Sequence, residues 1–244
     1  MRNRQVTVKK RIFVSVFAVA ACLFFFACGI PVYYVIEPPQ ADHIPTADTG
    51  DISQRYFSFI CPYSSSTDNS EFLLQGTEIY YKIYDTRSDM DSDISNISGR
   101  NTEYSEDGYR RMTELGYKEM RSSTGDTPII RKITSTRTIR VRLSTEGAEG
   151  AFEAEIKDET NNQRLSVPMR IDMISTAGGN KSFTFTSNYK PSPDDSDTRI
   201  RSTEDSNNGP WYINLYAVSV GRDLSFAQHY SSVLHLGNLE ISMQ

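Results

Sequence analysis

Apolar and polar residues alternate with a period of two through much of the chain beyond residue 54. Ile79, Tyr81 and Ile83 alternate with Tyr80, Lys82 and Tyr84; Ile139, Val141 and Leu143 alternate with Arg140 and Arg142; Phe152, Ala154 and Ile156 alternate with Glu153, Glu155 and Lys157. A period of two sends alternate side chains to opposite faces of an extended segment, so these runs predict half-buried strands. The last two are joined by Ser144 to Ala151, which contains Gly147 and Gly150, and so predict a hairpin. Pairing Leu143 with Phe152 sets Arg142 opposite Glu153 and Arg140 opposite Glu155, each pair contributing about 0.2–1 kcal/mol. Further strands are expected at Leu165–Ile171, Ser182–Tyr189, Trp211–Val220 and His235–Ser242, with Pro168 marking an edge strand or bulge. Pro191–Pro210 reads as a long polar loop. One segment departs from the pattern. Over residues 101–116, Tyr104, Tyr109, Met112 and Leu115 recur at near-helical spacing, and Gly116 stands where a helix ends in positive φ. The prediction is a mainly β domain over 54–244 with a single helical insertion.

The first 53 residues follow other rules. Arg2, Arg4, Lys9, Lys10 and Arg11 carry five positive charges with no acid among them, and Ile12 to Ala27 adds sixteen uncharged residues rich in Phe, Val and Ala. A basic leader, a short apolar run and a small residue at its end form an export signal. The basic end stays in the cytoplasm while the apolar run enters the bilayer. The run closes on Phe25-Phe26-Ala27-Cys28-Gly29, which resembles the lipobox of bacterial lipoproteins, with Phe25 and Phe26 where most such boxes carry Leu and then Ala or Ser. This relaxed form is similar to that of spirochaete lipoproteins. The resemblance implies cleavage after residue 27 and a lipid on Cys28, which becomes the mature N-terminus. Two other readings stand beside it. The uncharged stretch from Ile12 to Ile36 has 25 residues, enough to span a bilayer as a retained helix, although Gly29 and Pro31 interrupt it. Alternatively an ordinary signal peptidase releases a soluble chain. All three place the rest of the protein outside the cytoplasm. Residues 28–53 are read as the lipidated end and a flexible tether, because Pro38, Pro39, Pro45 and several Asp leave no apolar face to bury.

Charge and cysteine content narrow the partners. The full chain has a formal net charge of −5, which falls to −10 once the leader's five positive charges are removed. That argues against nucleic acid, whose binders need basic stripes, and against an electrostatic route to anionic lipid, leaving an acyl chain to do the anchoring. Of three cysteines, Cys22 lies in the leader and Cys28 is the lipid candidate, so Cys61 has no internal partner and reads as a buried, inert thiol.

Two stretches carry a second resemblance. Gly76-Thr77-Glu78-Ile79-Tyr80-Tyr81 is similar to the third strand of the fibronectin type III sandwich, and Trp211 to Gly221 resembles its sixth strand. The resemblance implies an elaborated immunoglobulin-like sandwich with extra strands. It also makes these two strands neighbours, so that Tyr80, Tyr84, Tyr212 and Tyr216 share one face outside the core. Left open, that face would be a patch for peptide or glycan, since Tyr offers a rigid ring with a polar tip. Covered by the 101–116 helix, it would be a second small core; the covered form is expected, because the apolar side of that helix needs a surface.

Catalytic and metal chemistry find little support in the residues. His43, His229 and His235 are the only histidines and lie apart from any cysteine cluster, so no metal site and no cofactor are expected. Asp89-Met90-Asp91-Ser92-Asp93 begins like a calcium loop, but Ile94 and Arg100 stand where Gly and Glu are needed; it and Asp194, Asp195 and Asp197 read as solvated acidic loops. No nucleophile elbow or phosphate-cradling glycine loop is present. The chain is therefore expected to be a membrane-anchored extracytoplasmic lipoprotein with a non-catalytic binding or structural role, its partners being membrane lipid through the acyl anchor and an envelope protein or glycan. The alternatives are a surface adhesin and a glycan-acting hydrolase with dispersed acidic residues.

Overall fold

The longest alternating runs form the spine of the protein. In a computed structural model describing residues 34–45, 52–63, 72–143, 153–171, 183, 191–200 and 210–241, β3 (Phe72–Tyr84) and β12 (Trp211–Asp223) pair antiparallel from Tyr212↔Tyr84 to Asp223↔Phe72. β14 (Leu234–Ile241) and β13 (Gln228–Tyr230) flank β12 on its other edge. Three short strands flank β3: β4 (Lys118–Glu119), β6 (Ile130–Arg131) and β11 (Thr198–Arg199), the last parallel to it. A second antiparallel sheet runs in the order β1 (Gln40–His43), β2 (Phe57–Cys61), β7 (Arg137–Arg142), β8 (Glu155–Asp158), β9 (Gln163–Ser166). The fold is mainly β, as expected.

The two sheets bury one common core. Phe57 and Phe59 of β2, Ile139 and Val141 of β7 and Ile156 of β8 meet Ile79, Tyr81 and Ile83 of β3 and Ile213, Leu215 and Ala217 of β12. Every one of these is at an alternate position of its strand, and full burial of each large apolar side chain contributes about 1.5–3 kcal/mol. Cys61 joins this core; burial pushes its thiol up to about 12, consistent with an inert role. Gly76 in β3 is needed for a close approach: its φ is +151°, and a Cβ there would lie 2.1 Å from the Ile130 carbonyl oxygen of β6.

The hairpin differs from the expected register by two residues. Arg142 faces Glu155 and Arg140 faces Lys157, with Val141 opposite Ile156. A slip of two leaves every side chain on its expected face, so alternation alone does not choose between the registers. The observed one lets buried Asp158 pair with Arg137 at 2.9 Å and accept from Asn161. Arg140 still reaches Glu155 diagonally, at 2.8 Å. Pro168 acts as expected: β9 stops at Ser166, and β10 (Pro168–Met169) pairs instead with β5 (Arg121–Ser122). The strand expected at Ser182–Tyr189 lies outside the described residues except for Phe183, which is buried.

Two further corrections concern the segments read as unstructured. The stretch taken as a tether contributes β1, whose Gln40 and Ala41 pair with Ile60 and Phe59, while Ile36 is buried. β1 is a polar edge strand held by backbone bonds and by Ser58 donating to Asp42 at 2.7 Å, so it has no apolar periodicity to detect. The chain forms two compact units, Met1–Tyr34 and Val35–Gln244, and all the described strands and helices belong to the second. The second correction is the helix count. Among the described residues there are two α-helices, α1 (Arg87–Ser98) and α2 (Asp107–Glu114). α2 falls inside the expected insertion and ends before Gly116, whose φ is +86°. α1 occupies the acidic stretch read as a loop.

Candidate functional site

The β3–β12 register brings the expected tyrosines together. Tyr84 lies opposite Tyr212 and Tyr80 opposite Tyr216, with Lys82 and Asn214 between them. These side chains face away from the sheet-to-sheet core. The patch is nevertheless closed. Tyr80, Tyr84 and Tyr216 are buried under Met90 and Ile97 of α1, Met112 of α2 and Tyr117, and only Tyr212 is partly exposed. The face is a second small core and not an open surface, because the apolar faces of both helices need this layer. Tyr117 packs edge-on against Tyr216 and Tyr84 at 5.3 and 6.4 Å between ring centroids.

A polar network runs through this apolar layer. The Asp93 carboxylate of α1 accepts from Lys82 Nζ and from the Tyr84 hydroxyl on Oδ2, each at 2.9 Å, and from Arg199 on Oδ1 at 2.8 Å. Lys82 also donates to the Leu115 carbonyl at 2.5 Å. With its one proton given to Asp93, the Tyr84 oxygen accepts from the Tyr117 hydroxyl at 2.9 Å, and the Tyr117 oxygen accepts from Asn214 Nδ2 at 2.7 Å. With its amide nitrogen so used, Asn214 presents Oδ1 to His235 Nε2 at 2.6 Å, which places the imidazole proton on Nε2. Burial lowers the pKa of Lys82 and that of His235, and it raises those of Tyr84 and Tyr117. The network fixes α1 to the sheet, since two cations and a phenol from outside the helix converge on its one buried carboxylate.

A second buried cluster ties the 191–200 segment to β3. Arg170 donates to Asp195 and Asp197 at 2.7 Å each and again to Asp197 through Nε at 2.9 Å. The Tyr81 hydroxyl donates to Asp197 at 2.6 Å. Asp195 and Asp197, read from the sequence as solvated, are buried counter-ions of an arginine about 25 residues away. Asp194 alone of the three remains exposed.

Among the described carboxylates, Glu78 is displaced furthest toward neutrality. Burial, then the charge of Glu119, raises its pKa to about 7, although it accepts a hydrogen bond from Tyr80 at 2.9 Å. At 3% exposure it is not reached by a substrate in this conformation. A folded-state pKa above the unfolded value of about 4.5 stabilises the fold at acid pH and progressively less as pH rises through 7. Glu78→Gln keeps the acceptor for Tyr80 and removes the ionisation. It is expected to raise the unfolding free energy by about 3 kcal/mol at pH 8 and to leave it nearly unchanged at pH 4.5, as checked by urea denaturation at both values.

The solvent-facing side of the helices carries a groove of about 350 Å³ lined by Asn96, Arg100, Asp107, Arg110, Arg111 and Glu114. Arg110 pairs with Asp107 and Arg111 with Glu114, each at 3.2 Å on exposed helix surface, the arrangement of a solvated helix face. Asp89 and Asp93, the ends of the calcium-like stretch, sit one helical turn apart on α1 and both approach Arg199, at 3.7 and 2.8 Å. Among the described residues no group of three or more His, Cys, Asp and Glu side chains is placed to hold a metal ion. Nor is any helix among them long and apolar enough to cross a membrane. Cys28 lies outside the described residues. No protein-family model matches the chain, and neither a curated protein nor a solved structure is found to be similar to it.

Proposed function

We propose that the chain is a lipoprotein held outside the cytoplasm by acyl chains on Cys28, with a non-catalytic binding or structural role in the cell envelope. The observation that carries this reading is the N-terminal sequence: five basic residues, sixteen uncharged ones, then Ala27-Cys28-Gly29. The domain is consistent with such a role. Its conspicuous buried charges hold elements together: Asp93 and Lys82 join α1 to β3, Arg170 joins the 191–200 segment to the sheet, and Asp158 fixes the β7–β8 register. Metabolic labelling with a palmitate analogue tests the proposal. The native chain is expected to take the label and Cys28→Ala to lose it. Labelling that survives the substitution contradicts lipidation at this residue.

A further inference from the structure

Few large apolar side chains are strongly exposed among the described residues, and three of the most exposed are Leu224 at 69%, Phe226 at 76% and Tyr104 at 58%. Leu224 and Phe226 form the tip of the β12–β13 hairpin. Phe226 sits at φ 67° and Tyr104 at φ 59°, a backbone region that bulky residues rarely adopt and that persists only where surroundings enforce it. The enforcement at the tip is visible. One oxygen of Asp223 accepts from Ser225 N, Ser225 Oγ and Ala227 N at 2.7–3.0 Å, and the other meets His229 at 3.0 Å. The loop is therefore built rigidly, with its two large apolar side chains turned into solvent. Arg222 lies over the Phe226 ring at 5.4 Å.

The same contacts lead from the tip to the place where the chain enters the domain. His229 pairs with Glu106 at 3.4 Å, and Glu106 accepts from Tyr230 N at 3.0 Å, so the loop bearing Tyr104 lies beside β13. The Tyr104 phenol is hydrogen-bonded to Glu103, and the negative charges of Glu103 and Glu37 help raise its pKa, so Glu37 lies within electrostatic reach of this loop. Val35, two residues before Glu37, is also exposed.

Chain length decides what covers this surface. The domain begins at Val35, so only the seven residues Cys28 to Tyr34 separate it from the proposed lipid. Fully extended they reach about 25 Å, less than the roughly 40 Å length of thirteen-residue β3. A domain on such a link stays within about 25 Å of the bilayer, which favours the side nearest its entry point as the one that faces the interface. We infer that Val35, Tyr104, Leu224 and Phe226 form the membrane-facing surface of the domain, seated in the headgroup region of the lipid bilayer that carries the anchor. Aromatic and aliphatic residues suit that region. The negative charge of the mature chain directs the contact to zwitterionic lipid.

The inference rests on the anchor reading, and its test separates the two. Full-length protein carrying Phe226→Trp is isolated from membranes and reconstituted in phosphatidylcholine vesicles containing a nitroxide-headgroup lipid; Leu224→Trp serves if the first variant folds poorly. The native Trp211 is buried and gives a constant background. Emission from position 226 is expected to shift blue and to be quenched several-fold more than that from Gln163→Trp, an exposed position on edge strand β9. Palmitate labelling of the same samples reads the anchor. Equal, weak quenching at both positions in labelled protein overturns the membrane face and leaves the anchor standing. Quenching at 226 without label supports the face and overturns the anchor. A blue shift in native membranes that is absent from protein-free vesicles assigns the surface to a protein partner and overturns the bilayer contact.

Discussion

Replacing Arg170 with Met is expected to lower the unfolding free energy by about 3–5 kcal/mol, the cost of leaving buried charges without their partner. Arg170 is buried between Asp195 and Asp197, with three hydrogen bonds of 2.7–2.9 Å to their carboxylates. Burial alone would lower the guanidinium pKa, but the hydrogen bond and charge of Asp197, with that of Asp195, raise it above its ordinary value. Without the cation, two carboxylates face one another in a site closed to water, and Tyr81 satisfies only one oxygen of Asp197. Met fills most of the volume, so the loss measures charge rather than a cavity. The triple variant Arg170→Met, Asp195→Asn, Asp197→Asn is expected to recover a large part of the difference. Urea denaturation of the single and triple variants checks both values; a single-variant loss below about 1 kcal/mol contradicts the assignment of this cluster as the pin of the 191–200 segment.

Asp93→Asn is the second large effect, again about 3–5 kcal/mol, and it carries a pH signature. The substitution keeps one acceptor oxygen, for Tyr84 or for Arg199 but not for both, and leaves the Lys82 ammonium, whose side chain is 7% exposed, without its counter-charge. Burial already lowers the Lys82 pKa, with Asp93 opposing that shift; in the variant the opposition is gone. A lysine that binds its proton less tightly folded than unfolded makes stability rise with pH, up to the unfolded pKa of about 10.4. The variant is therefore expected to gain stability between pH 7 and 10 relative to the native chain, and Asp93→Asn combined with Lys82→Met to lose that pH dependence. Parallel pH profiles for the native and single-variant chains would remove Lys82 from the account.

These effects involve residues whose importance was only partly legible in the sequence. Alternation identified β3 and β12, and the pairing of Tyr80, Tyr84, Tyr212 and Tyr216 followed from placing those strands side by side. Whether the tyrosines were open depended on α1, and α1 was hidden. Its Asp-x-Asp-x-Asp opening imitates an alternating ligand loop, although Met90, Ile94 and Ile97 follow helical spacing and Asp89 and Asp93 stand one turn apart on the same helix. Asp195 and Asp197 read as solvated because their partner, Arg170, lies about 25 residues away just beyond β10, and nothing local in the sequence announces a buried arginine. β1 was missed for the opposite reason: its side chains are mostly exposed, and its place is secured by the backbone. That miss matters most for the proposed function, since a domain that begins at Val35 leaves only seven residues after the proposed lipid site at Cys28.

The anchor is where sequence and proposed role meet, and one measurement addresses it directly: the mass of the N-terminal peptide of protein extracted from membranes. The account predicts a peptide that begins at Cys28 and carries the added mass of acyl chains. A peptide that begins at Met1, or at any other residue with no acyl mass, contradicts it.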